Sequence, residues 1–242
     1  MPLNSAFDIE KFLEILSEQV SEKVQLGTPA QDAENEEFTR WSIRQISPTL
    51  TPAAIEDARI ICKAGNPISE ITAAWIDESV GTCYLIQAEY RRPTLGKGSR
   101  LLPPTFDVMP GQLLHDGFDK VRNQYAAGMT AGSAKIIQVT ALYQRAIQQR
   151  MNIRLFVIIS GWPSSHLERA VEQLETQFIQ DRITFTKHHA ETYDVATLNQ
   201  LFSDSIFPPP HPVPLKIGPE YFRIPADDRE PVYAWVATVD GF

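Results

Sequence analysis

Apolar residues recur at helical spacing near the start of the chain. Ile9, Phe12, Leu13, Leu16 and Val20 fall on one helical face. Ser5, with Asp8 three residues on, resembles a capping box and predicts a helix starting at Ser5 or Ala6. Gly27-Thr28-Pro29 ends that pattern. A second helix is predicted over residues 35–46, burying Phe38, Trp41 and Ile46. A third starts at Thr51-Pro52, a cap followed by a first-turn proline, and ends near Gly65. The period then changes. Residues 68–77 and 82–91 read as strands joined by a turn at 77–81. A Pro/Gly-rich loop over 92–111 leads to helices at 112–125 and 133–150. Residues 153–160 are almost continuously apolar, the mark of a strand covered on both faces. Leu167, Ala170, Val171, Leu174 and Phe178 form the stripe of a further helix. A short strand at 183–187 and a short helix at 194–202 follow. This alternation predicts an α/β fold with helices packed on a central sheet.

Residues 207–214, Phe-Pro-Pro-Pro-His-Pro-Val-Pro, predict a polyproline-like connector. Beyond it, residues 215–224 and 232–239 read as extra C-terminal strands. The division expected is 1–206 for the α/β domain with its N-terminal helices, and 207–242 for the connector and last strands. The chain stops soon after a β-prone run, and that reads as a piece of a longer protein.

Composition narrows the classes. Of 242 residues, 43% are hydrophobic and 21% charged, a globular balance that excludes a disordered chain. The net charge of −8 argues against a broadly basic surface for nucleic acid and leaves room for a local patch. Arg91, Arg92, Lys97 and Arg100 form that patch, a candidate grip on phosphate backbone or a solubilising loop. Two cysteines, Cys62 and Cys83, without metal-type spacing point to a reducing cytoplasm. The N-terminus lacks the pattern of a signal peptide. No apolar run approaches the roughly 18 residues that cross a membrane, so no membrane partner is expected.

The most informative stretch is residues 81–92, Gly-Thr-Cys-Tyr-Leu-Ile-Gln-Ala-Glu-Tyr-Arg-Arg. Period two puts Gln87 and Glu89 on one face, at the tip of an otherwise apolar strand. Glu70 and Thr72 share a face of the preceding strand. His188-His189 alternate across a strand and make a poor metal pair, so both are expected to be exposed. His115 and His166 are read as structural. Ser160-Gly161-Trp162 is no hydrolase elbow, because Gly-x-Ser-x-Gly is missing. Gly96-Lys97-Gly98-Ser99 lacks the upstream glycine of a phosphate loop.

Five short stretches, in this order, carry a resemblance. They are Glu36-Glu37-Phe38-Thr39, residues 71–77 (Ile-Thr-Ala-Ala-Trp-Ile-Asp), residues 85–90 (Leu-Ile-Gln-Ala-Glu-Tyr), residues 152–161, and residues 233–241. Together they resemble the N-terminal, nuclease-like region of the abortive-infection phage-resistance (AIPR) family. More distantly they resemble the PD-(D/E)-x-K, restriction-endonuclease-like fold. The resemblance implies a phage-defence protein with a restriction-endonuclease-like mixed sheet flanked by helices. It also implies a site of strand-borne carboxylates and a lysine around Mg2+ or Mn2+, which would activate water. Thr72 stands at the aspartate position, Gln87 at the acid-or-glutamine position and Glu89 at the lysine position. A neutral hydroxyl and an inverted charge imply a degenerate site, used for recognition or assembly, with no cofactor. The partner expected is another protein or a following domain; the net charge makes nucleic acid the weaker candidate. An active nuclease would need Glu70, Gln87 and Glu89 as a metal cage, Glu37 as a further ligand, and Lys97 or Lys120 as the cation. The alternative leaves Glu70 and Glu89 solvated, or paired with Arg91 or Arg92. A protein-interaction module using the Pro-rich strap is a third reading.

Overall fold

In a computed structural model, the described residues are 8–21, 30–59, 70–128, 134–180, 188–206, 222–224 and 234–236. Helices α1 (Ile9–Ser21), α2 (Ala30–Ile46) and α3 (Pro52–Ala58) come first. Asp8 caps α1, its side chain accepting from the Glu10 amide at 3.2 Å. The helix therefore begins at Ile9, and the expected cap at Ser5 lies outside the described residues. Helix α2 starts earlier than its apolar stripe, because its first turns carry polar residues that bind a strand end rather than core. Thr51 caps α3 as expected, accepting from the Ala54 amide at 3.2 Å. The helix stops at Ala58, where Arg59 turns extended and bridges Ala73.

Strands β1 (Ala73–Asp77) and β2 (Thr82–Glu89) form an antiparallel hairpin through a turn with Gly81 at φ +61°. The stretch expected to be a loop contains β3 (Thr94–Leu95), β4 (Leu101–Leu102) and β5 (Thr105–Phe106). Then come α4 (Met109–Ala126), α5 (Ala134–Gln148), β6 (Asn152–Ile159), β7 (Trp162–Pro163), α6 (Ser165–Gln180), β8 (His188–Tyr193) and α7 (Val195–Ile206). The strand expected at 183–187 and the Phe178 side chain lie outside the described residues. The main sheet has the order β1-β2-β6-β8. β1 runs antiparallel to β2, whereas β2, β6 and β8 run parallel. The protein is thus mixed α/β, with a central mixed sheet flanked by helices.

Alternation along the strands sorts the core into two halves. Cys83, Leu85, Leu155, Val157 and Ile159 pack with Leu114, Phe118, Val139, Leu167 and Leu174 of α4, α5 and α6. Tyr84, Ile86, Phe156 and Ile158 pack with Phe12, Phe38, Trp41 and Leu198 of α1, α2 and α7. Leu155 through Ile159 are all buried, so β6 is covered on both faces, as its apolar run predicts. Val157→Ala is expected to cost about 1–3 kcal/mol through the cavity left in this layer. The check is a lower urea midpoint with an unchanged m-value.

The chain divides into two compact units, Met1–Ile206 and Phe207–Phe242. In the second, β9 (Phe222–Ile224) pairs antiparallel with β10 (Ala234–Val236). The connector expected at 207–214 lies outside the described residues. Among the described residues, no helix is long and apolar enough to cross a membrane.

Candidate functional site

The site is built where β2 leaves the sheet. Gln87 and Glu89 continue the face of Cys83 and Leu85, so they look toward α4, α5 and α6. Gln87 is buried, and Glu89 keeps about a fifth of its side chain exposed, 20%. The Glu89 carboxylate accepts from Nε of Arg91 at 3.0 Å and from Nη2 at 2.7 Å. The same guanidinium lies 4.5 Å from the centre of the Phe106 ring. Its Nη1 donates to the Thr105 carbonyl at 3.4 Å. Ser160, directly after β6, locks this corner. Its hydroxyl accepts from the Arg91 amide and donates to the Arg91 carbonyl, both at 2.9 Å. A polar residue ending an apolar run was the sequence signal for this latch.

Glu70 is held by Lys120 of α4. Gly117 lets that helix come close: a Cβ there would meet the Glu70 Cβ and Ile71 Cγ1 at 2.9 Å. Thr72 has a backbone role. Its amide donates to the Ile86 carbonyl at 2.7 Å, although Ile86 is the register partner of Ala73. Two residues thus face one, a bulge-like break. The Thr72 hydroxyl donates to the Ile86 carbonyl at 3.1 Å and accepts from the Ala88 amide at 2.9 Å. It stands in for a carbonyl of the ladder. This corrects the strand expected from residue 68: pairing starts at Ala73, and Glu70 and Thr72 lie outside β1. Residues 60–69 are outside the described residues.

Glu37 sits on α2, across the sheet from Gln87 and Glu89, and pairs with Arg40. The cage that an active nuclease would need, of Glu70, Gln87 and Glu89 with Glu37 as a further ligand, is therefore not assembled. Lys120 stays with Glu70, while Lys97 is exposed in the β3–β4 turn. Among the described residues, no three His, Cys, Asp or Glu side chains group so as to hold a metal ion. The residues do not fit Mg2+ or Mn2+, because Glu70 and Glu89 hold cations of the same chain and a hard divalent ion needs several anionic oxygens.

The basic residues expected to hold nucleic acid divide unevenly. Arg91 holds Glu89. Arg92 donates from Nε to Glu34 at 2.7 Å, a carboxylate 2% exposed on α2. Hydrogen bonding to Glu34 raises the Arg92 guanidinium above its ordinary value. Arg100 meets Glu10 of α1 at 3.3 Å. Lys97 makes no ion pair with a described residue. Helix α2 also fixes Tyr90: Asn35 accepts from its amide at 2.7 Å, and Gln31 donates to its carbonyl at 2.6 Å. The polar start of α2 thus grips the end of β2.

One histidine departs from expectation. His188 contacts the rings of Phe118 and Tyr143, at 6.2 and 6.1 Å, and is half-buried. His189 is exposed as expected, and Glu175 lies 3.0 Å from its Nδ1. Glu175 also accepts from the Ala190 amide, which blunts this strand. His115 and His166 share a cleft of about 600 Å³ with Asp107, Asp116 and Arg169 between α4 and α6. His115 has Asp119 one helical turn on, with 3.6 Å between Nδ1 and the carboxylate. Set against known families, curated proteins and solved structures, the chain matches none of them.

Proposed function

We propose that the Met1–Ile206 unit is a restriction-endonuclease-like domain, related to the AIPR family, that recognises nucleic acid in phage defence without cleaving it. A cytoplasmic setting belongs to this reading. The observation that carries it is the self-neutralised strand tip: Lys120 on Glu70 and Arg91 on Glu89, with the Thr72 hydroxyl bonded to the β2 backbone. Support for the fold comes from an antiparallel hairpin followed by parallel strands. Strand-tip carboxylates with their own cations have little left for a metal, and the exposed side chains of Lys97 and Arg100 offer positive charge to a phosphate backbone.

The test incubates pure protein with plasmid DNA and with single-stranded RNA, with magnesium or manganese. No cleavage is expected. Glu89→Lys with Thr72→Asp would recreate the residues of the family pattern. The carboxylate introduced in place of the Thr72 hydroxyl would face the Ile86 carbonyl, so this variant is expected to lose about 1–3 kcal/mol and gain no manganese-dependent rise in Tm. Cleavage by the unmodified protein, lost in Glu70→Ala or Glu89→Ala, would instead establish a metal-dependent nuclease.

A further inference from the structure

The β3–β4 hairpin is basic and apolar at once. Residues 90–106 hold four cations, Arg91, Arg92, Lys97 and Arg100, and no carboxylate, in a chain of net charge −8. The turn at its tip is tight. The Gly96 amide donates to the Arg100 carbonyl at 2.8 Å. Gly98 and Ser99 take left-handed conformations at φ 75° and 62°. Leu102 covers Gly96, where a Cβ would stand 2.6 Å from its Cδ1.

The base of the hairpin is braced. Glu10 of α1 accepts from the Leu101 amide at 3.2 Å and from Arg100, and Leu101 packs on the core. Glu34 holds Arg92 on the incoming side. Yet Leu95 is 74% exposed and Leu102 48% exposed. A braced element that presents leucines to water beside an ammonium group has the makings of a contact surface.

We infer that this hairpin is a nucleic-acid wedge, resting on the recognition reading above. Leu95 enters between bases; Leu102, the register partner of Thr94, lies over Gly96 on the other face of the hairpin. Lys97 and Arg100 meet the flanking phosphates. Apolar wedges between base steps and cations on the backbone are the two halves of this binding mode. Charge complementarity points to a polyanion, because residues 90–106 carry no carboxylate and Lys97 and Arg100 keep exposed side chains; an acidic second copy would meet the same charge and is an outcome of the test. Arg100 can exchange Glu10 for phosphate, since its side chain is 71% exposed.

The experiment uses the full chain with a fluorescein-labelled duplex and the matching single strand, each carrying 2-aminopurine. Anisotropy reads affinity and 2-aminopurine emission reads unstacking. The wild type is expected to bind and to raise emission. Leu95→Ser, at a position 74% exposed, should keep the wild-type melting curve. It should bind about tenfold more weakly, the loss of one buried leucine, and leave emission flat. Lys97→Gln should lower the salt dependence by about one ion. A leucine variant that binds and unstacks like the wild type overturns the wedge and leaves the recognition reading standing. Binding by the wild type without a rise in emission does the same. No binding by the wild type overturns both. Sedimentation showing a dimer that Leu95→Ser dissociates assigns the hairpin to a second copy and also overturns the wedge.

Discussion

Gly161→Ala is expected to cost about 3 kcal/mol or more, and to disturb the Arg91 corner along with the fold. An added Cβ would overlap the Pro104 carbonyl oxygen and stand 2.8 Å from its carbonyl carbon and 2.9 Å from its Cγ. The obstacle is mostly backbone, which cannot swing aside as a side chain does. Gly161 also joins three elements. The next amide, of Trp162, donates to the Pro104 carbonyl at 2.8 Å, and the Gly161 carbonyl accepts from the Val195 amide at 3.1 Å. Moving Pro104 would shift Thr105, whose carbonyl accepts from Arg91. Two measurements follow: a urea midpoint, and nucleic-acid affinity under conditions where the variant is still folded. Wild-type stability in the variant would show that the two segments separate without penalty.

The sheet was legible where pattern and burial coincide. Residues 155–159 are apolar throughout because both faces meet helices, so their composition already describes the layer. The alternation of Cys83 and Leu85 with Tyr84 and Ile86 likewise separates the two core halves. The start of β1 was not legible. Ile71 and Ala73 are equally buried, yet a bulge lies between them, made by a threonine hydroxyl in the place of a carbonyl. A side chain substituting for backbone leaves no mark on hydropathy.

The candidate site was legible only over short range. Glu89 and Arg91 are two residues apart, and their pairing was among the alternatives the sequence offered. Lys120 reaches Glu70 across 50 positions, and Arg92 reaches Glu34 across 58. Nothing in the spacing of such charges announces a tertiary partner. Residues 92–111 read as loop because two-residue strands are too short to show alternation. The cations there could be named as a cluster, while the exposure of Leu95 and Leu102 emerged only from the hairpin.

A steep loss of stability in alkali is the other large effect expected. Burial pushes the Cys83 thiol up from 9.0 to about 12. Tyr193 rises from 10.0 to about 12, first through burial and then through the nearby Glu191 carboxylate. Tyr84 and Tyr90 are raised as well, again mainly by burial. Each folded value lies above its unfolded one, so the sign is common to all. Below about pH 9 both states keep their protons, and the contribution is fully present. Above it the unfolded chain releases protons that the folded chain retains, so stability falls as the pH climbs toward 12. Cys83 is fully buried, and its thiol alone accounts for about 4 kcal/mol at the end of that window, a large part of a typical domain's stability. Urea unfolding between about pH 8 and about pH 11 is expected to show a falling midpoint with little change in m-value. Cys83→Val removes the ionising group while filling its place among Leu85, Leu114 and Phe118, and its curve should be shallower. Equal slopes for the variant and the wild type would show that the thiol meets alkali as readily in the fold as outside it.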